Sequence, residues 1–500
     1  MNIKRAKQEI KDAIEAYLLK DEYGNYKIPT IRQRPILLIG APGIGKTQIM
    51  EQISIECQVG LVSYTITHHT RQSAIGLPFI SKSVYGGKEY SVTEYTMSEI
   101  IASVYNRIEK TGLKEGILFI DEINCVSETL APAMLQFLQY KTFGNHAVPE
   151  GWIIVAAGNP AEYNKSVREF DVVTMDRVKK IDVEPDFSVW KEYAYRQGIH
   201  NAVISYLTTR VSYFYQMETT VDGMFFATPR GWEDLSRLIQ AYESLGKTVD
   251  REVVMQYIQY PKIAKDFANY LELYYKYQAD YQIDEIMQGK IDLILTKKLS
   301  HAPFDERLSV VSLLLARIIE QFRNSYKMES CVTVLFEKLK EWKELLSENS
   351  DPLASLEELT RHVQELFAYK TKAQILNREE GQALRYLIKK VEEYQKLLKV
   401  NHITGGEMAF MAVKEEFAKE NEVYQTQLDE AGQKLEYAFD FMEIAFGNSQ
   451  EMTAFITELN ANFYSVQFLQ SYECERYYQY NKNLLFDEKR RNLLNRIERL

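Results

Sequence analysis

Nowhere in the sequence do apolar residues run on for the roughly 18 to 20 positions that a membrane-spanning helix needs, so no spanning segment is expected. The amino end, MNIKRAKQEIKDAIEAYLL, sets Ile3, Ala6, Ile10, Ala13, Ile14, Tyr17 and Leu18 at helical spacing with charge between them, and so lacks the unbroken apolar stretch of a secretion signal. A cytoplasmic location is the expectation from these two absences. Cysteine is sparse: Cys57, Cys125, Cys331 and Cys474 stand far apart, with no CxxC pair and no histidine at metal-ligand spacing. That argues against a disulfide framework or a zinc site and for reduced, mostly buried thiols. Of the seven histidines only His68 and His69 are adjacent, and neighbours on a chain rarely face one metal, so a loop or strand-end role is expected. An excess of basic charge is missing as well. The net charge of −10 argues against a broad nucleic-acid surface and leaves open only a local basic patch. No internal repeat or low-complexity tract is present.

What is present is a chain of 500 residues, longer than one hydrophobic core usually serves, so two or more domains are expected. Its first part alternates short apolar runs with helical patterns. The runs are Pro35 to Gly40, Leu61 to Thr67, Ile117 to Asp121, Trp152 to Gly158 and Lys179 to Val183. Continuous apolar runs separated by helices are what a parallel sheet covered on both faces requires. Helices are expected over Thr47 to Cys57 and, from a Ser cap, over Ser127 to Tyr140. Gly76 to Thr93 and Phe143 to Gly151 mix turn formers with β-branched residues and predict loops or hairpins. After about Pro185 the strand signals stop, and nearly everything to Leu500 has helical periodicity; residues 330 to 400 suit either a coiled-coil hairpin or an ordinary bundle. Tyrosines are abundant, with Tyr274, Tyr275, Tyr277 and Tyr281 close together, a spacing that suits an interface or a wet core edge better than a base-stacking surface.

The segment Gly40, Ala41, Pro42, Gly43, Ile44, Gly45, Lys46 and Thr47 reads GxxxxGK[ST], directly after an apolar run and directly before a helix. In that context glycines let backbone N–H groups turn inward around a β-phosphate, and the helix points its positive end at the same anion. Lys46 would neutralise β and γ oxygens, and Thr47 would give its hydroxyl to Mg²⁺. Alone, the motif also suits a tight Gly-rich turn. A second signal follows in ILFIDE, a buried strand that delivers Asp121 and Glu122 at its carboxyl end, the edge where open α/β sheets place ligands. Asp121 would hold Mg²⁺ through water, and Glu122 would orient and polarise the attacking water.

In order along the chain, GAPGIGKT, ILFIDEIN, VAAGNP, TMDRV and TPRGWEDLSRLI resemble the motifs of an AAA+ ATPase, and within it the MoxR-like branch. The resemblance covers roughly residues 30 to 245. It implies an α/β fold, an AAA+ P-loop domain with a parallel sheet and a helical lid, to which the helical periodicity adds a long all-α C-terminal region. Periodicity and resemblance together divide the chain into an N-terminal helix over 1–30, a nucleotide-binding domain over 31–185, a lid over 186–250 and an all-α region over 251–500. By the same resemblance Asn159 matches sensor 1, whose amide would hold the attacking water, although an Asn before Pro160 also suits a turn. Arg177 matches the arginine that reaches a neighbouring subunit's γ-phosphate, with nearby Arg168 as the other candidate and a surface ion pair as the plainer role. Arg230 matches sensor 2 on the lid. The stretch PAEYNKSVREFDVV and the tail from about residue 250 depart from the branch's usual pattern.

These assignments imply ATP and Mg²⁺ as ligands, hydrolysis as the reaction, and a homo-oligomeric ring, a hexamer, whose sites are completed by two chains. The implied partner is a protein client, a von Willebrand A-type domain protein being the one to look for, rather than nucleic acid. The function so implied is ATP-driven protein remodelling or complex assembly. The other reading is a GTP-dependent, restriction-type motor acting on nucleic acid, which the acidic balance disfavours.

Overall fold

In the computed structural model, which describes residues 1–68, 71–143, 145–163, 167, 170–221, 223–348 and 351–482, the five apolar runs become one parallel sheet. In chain order the strands are β1 (Ile36–Gly40), β2 (Gly60–Thr65), a hairpin of β3 (Pro78–Tyr85) and β4 (Lys88–Tyr95), β5 (Gly116–Asp121), a short pair β6 (Thr142–Phe143) and β7 (His146–Ala147), β8 (Trp152–Gly158) and β9 (Lys179–Val183). The sheet runs in the order β2-β5-β8-β1-β9, and every pairing in it is parallel. All seven residues of β8 are buried, which is why its sequence reads as an unbroken apolar run rather than as an alternation.

Helix α1 (Ile3–Leu18) precedes the first strand, and α2 (Lys46–Cys57), α3 (Arg71–Ile75), α4 (Glu99–Thr111) and α5 (Ala131–Tyr140) lie among the strands in sequence. The amino-terminal helix α1 buries Ala6, Ile10, Ala13 and Ile14, and Asn2 caps it by accepting from Arg5 N–H. Its Glu9 also pairs with Lys179 of β9 at 3.2 Å. Helix α5 begins at Ala131 rather than at Ser127. Residues before it form a turn in which the Ser127 carbonyl, not its hydroxyl, accepts from Leu130 and Ala131, and Pro132 then fixes the first helical turn.

Of the two segments expected as loops or hairpins, both carry an antiparallel strand pair. β3 and β4 pair over eight residues each, and Gly86 and Gly87, with φ of +58° and +80°, make the two-residue turn whose twist matches that of the strands. Ile66–His68 forms a single 3-10 turn at the end of β2, and His69 lies outside the described residues.

The chain divides into two compact units. The first holds Met1–Val189, Thr228–Arg230 and Glu365–Asn377, so a segment far down the chain belongs to the unit that carries the sheet. Ala373 and Ile375 are buried in it; Arg107 Nη2 donates to the Ala373 carbonyl at 2.5 Å and Gln58 Nε2 to that of Ile375 at 3.2 Å.

The second unit is largely helical. Within it the helices Phe304–Glu348 and Gly406–Phe446 pair in opposite directions: Lys434 donates to Gln321, Phe417 packs on Phe336 and Phe410 on Trp342. Helix Arg378–Val400 joins the same bundle through Lys390 and Tyr386, which both donate to Glu420 at 2.5 Å. One expectation for this region is corrected: Gln216–Thr220 and Gly223–Ala227 form an antiparallel hairpin where only helix was expected. Tyr274 and Tyr281 are buried among other rings, while the Tyr275 and Tyr281 hydroxyls donate to Glu243 and Glu306. Cys331 and Cys474 are buried and Cys57 and Cys125 half-buried, all as free thiols. No described helix is long and apolar enough to cross a membrane.

Candidate functional site

Strands β5, β8 and β1 are neighbours in the sheet and parallel, so their carboxyl ends lie side by side. Those ends carry Asp121 of β5, Asn159 directly after β8, and the loop that leaves Gly40 of β1 for α2. Three motifs spread over more than a hundred residues of chain, from Gly40 to Asn159, are thereby brought to one edge.

The loop is shaped by its glycines. Gly43 and Gly45 have φ of +77° and +93°, a region L side chains rarely adopt, and Gly45 is the cap residue of α2. That helix has no side-chain cap bond and no acidic residue in its first turn, so its opening N–H groups and its dipole are left to an anion.

Lys46 is 8% exposed, and its Nζ donates to Gly40 O at 2.6 Å, Ala41 O at 2.9 Å and Asn159 Oδ1 at 2.9 Å. Burial pushes its pKa down to about 8; Asp121 and Glu122 pull it up, and Arg230 pushes it down. All three acceptors of the ammonium are neutral oxygens, so this buried cation is suited to an incoming phosphate.

Thr47 Oγ1 donates to Asp121 Oδ2 at 2.8 Å. Two hard oxygen donors side by side, beside a phosphate cradle, fit Mg²⁺ held jointly by protein, water and nucleotide oxygens. Among the described residues no group of three or more His, Cys, Asp or Glu converges to form an all-protein metal cage.

Glu122 takes φ +57°, an unusual conformation for a residue with a side chain, and its carboxylate accepts from Thr67 Oγ1 at 2.8 Å. Its N–H donates to Asp121 Oδ1 at 2.9 Å. The two carboxylates are thus turned apart, one toward Thr47 and one toward Thr67.

Arg230 opens the helix Pro229–Ser244, and Thr228 and Arg230 lie against the loop: a Cβ on Gly43 would fall 3.1 Å from Thr228 Cβ and 3.6 Å from Arg230 Cβ. Residues 35–178 match the family model for the AAA domain, dynein-related subfamily. This segment is an AAA domain. It accounts for the glycine-rich loop between strand and helix and for the parallel sheet, and no curated protein matches the chain.

Arg177 stands apart from the rest of the AAA domain's site. It lies exposed in the turn before β9, where its charge acts on Asp171. Arg168 lies outside the described residues. Three residues that sequence reasoning left unassigned belong to the constellation: Thr67, which holds Glu122; Thr228, against the loop; and Asn124, which bonds to the backbone of Asn159. Asn124 stands inside the quoted ILFIDEIN motif, but nothing in its spacing says which partner it takes.

Proposed function

We propose that the chain hydrolyses ATP in the manner of a MoxR-like AAA+ ring and uses that hydrolysis to remodel or assemble a protein client. The observation that carries the reading is the convergence of Lys46 with Asn159 and of Thr47 with Asp121 at one end of the sheet. In this reading the loop N–H groups and Lys46 bind and orient the β and γ phosphates of ATP. Thr47 and Asp121 would hold Mg²⁺, which supplies charge neutralisation on those oxygens. Glu122 orients and polarises the attacking water, and the Asn159 amide fixes the position of the transferred group. Arg230 meets the γ-phosphate from the same chain, and Arg177, facing outward, meets the γ-phosphate bound by a neighbouring copy.

An exposed feature supports a protein as client. The hairpin β3–β4 holds Phe79, Ile80, Val84, Tyr85 and Tyr90 in the open, an apolar and aromatic surface suited to protein rather than to a phosphate backbone. The test is capture on a Glu122→Gln variant, which should bind ATP without turning it over. Retention of one protein, with a von Willebrand A-type domain protein the first to look for, supports the reading. Retention of none counts against the client. Preference for GTP, or stimulation by DNA with steep salt dependence, transfers the assignment to a nucleic-acid motor.

A further inference from the structure

Asn124 sits in the 3-10 turn Ile123–Cys125, directly after Glu122, and is only 5% exposed. Its amide engages both backbone polar groups of one residue, Asn159. Nδ2 donates to the Asn159 carbonyl at 2.7 Å, and Oδ1 accepts from the Asn159 N–H at 3.3 Å. Such a two-point contact fixes the backbone in both position and tilt, where a single bond would leave it free to rotate.

The neighbouring residue is fitted to that contact. A Cβ on Gly158 would lie 2.6 Å from Asn124 Oδ1 and 2.8 Å from its Cγ, so glycine at the end of β8 is what lets the amide lie against the strand. The two ends of the bridge each carry a reacting group. On one side Glu122 is the residue before the turn, held by Thr67; on the other, the Asn159 side chain accepts from Lys46.

We propose that Asn124 is a positioning residue for hydrolysis, locking the turn that carries Glu122 to the end of β8. The Glu122 carboxylate and the Asn159 amide then keep one fixed separation while the phosphoryl group is transferred. The proposal rests on the ATPase reading above. Positioning contacts of this kind leave ground-state binding intact and act on the barrier, because groups held even an ångström out of place lose much of their effect.

The test is steady-state phosphate release, nucleotide affinity and thermal midpoint for Asn124→Ala, Gly158→Ala and the double variant, each as full chain. Asn124→Ala is expected to lower kcat by about 10- to 100-fold, the usual effect of removing a residue that orients a reacting group, with ATP affinity nearly unchanged. Gly158→Ala should reproduce that loss, because its methyl displaces the amide. In the double variant the methyl occupies the space that the amide leaves, so the loss should be no greater than for Asn124→Ala alone. If the alanine variant does not fold, Asn124→Asp carries the test: it keeps the shape and the acceptor, loses the donor to the Asn159 carbonyl, and should also lose kcat. Parent-like kcat in these variants, with only the thermal midpoint lowered, overturns the proposal, as does a double variant whose losses simply multiply. If the parent itself releases no phosphate, the ATPase reading fails and the proposal with it, an outcome separable from an active parent with unaffected variants.

Discussion

Lys46 Nζ and Asn159 Oδ1 meet at 2.9 Å, joining the first residue of α2 to the residue that follows β8. The meeting follows from strand order, since β8 and β1 are parallel neighbours and end together. It puts the cation proposed to bind phosphate and the group proposed to sense the γ-phosphate in direct contact.

Lys46, as the proposed phosphate ligand, should make nucleotide binding depend on pH. Its pKa of about 8 lies below the 10.5 of an ordinary lysine because the ammonium is buried. Between those values the unfolded chain holds the proton that the folded chain releases, so stability from this group rises with pH through that window and is at its lowest below it. A bound phosphate favours the charged form, so binding at a pH of about 8.5 should take up a proton and binding at about 6.5 should take up almost none. Calorimetric titration in two buffers of different ionisation enthalpy reads the difference; equal proton uptake at both pH values would contradict it.

Arg177 and Glu122 should complement each other between chains. If an exposed arginine completes a neighbour's site, Arg177→Ala and Glu122→Gln chains are each inactive, with losses of about 10³-fold or more for the arginine. Mixing them pairs an intact Glu122 with an intact Arg177 at some interfaces, and part of the phosphate release should return. Two inactive proteins that stay inactive on mixing, while still co-assembling, would place Arg177 outside the site.

The far segment Glu365–Asn377 should matter to the stability of the unit that carries the AAA domain. Ile375 is 2% exposed, and Ile375→Ala should cost about 2–5 kcal/mol, seen as a lower thermal midpoint with intrinsic fluorescence from Trp152 as one probe. Arg107→Ala should act in the same direction, since it leaves the Ala373 carbonyl without its donor. A midpoint unchanged in both variants would show that the segment adds nothing to the unit.

The parts of the fold that could be read from the sequence were those with a local signature. The fully buried β8 shows as an apolar run, Gly86–Gly87 as a hairpin turn, and the loop from Gly40 to Thr47 as a motif between strand and helix. The contacts that complete the site leave no such trace. Thr67 and Glu122 are brought together only because β2 pairs with β5, and Asn124 reaches Asn159 only because β5 pairs with β8. The return of residues 365–377 to the first unit depends on hydrogen bonds spanning hundreds of positions, beyond any periodicity. The hairpin Gln216–Ala227 did have a local sign, the Asp222–Gly223 pair between β-branched and aromatic residues, and was outweighed by the helical pattern on both sides.

Glu122→Gln is the substitution on which the account turns, because it removes the carboxylate proposed to activate water and leaves Lys46, Thr47 and Asp121 in place. Phosphate release and ATP binding should be measured together for the parent and this variant. The account predicts Mg²⁺-dependent release by the parent, and a variant that still binds ATP while releasing phosphate on the order of 10²-fold or more slowly. A variant that hydrolyses ATP as fast as the parent, or a parent that binds no ATP, would contradict it.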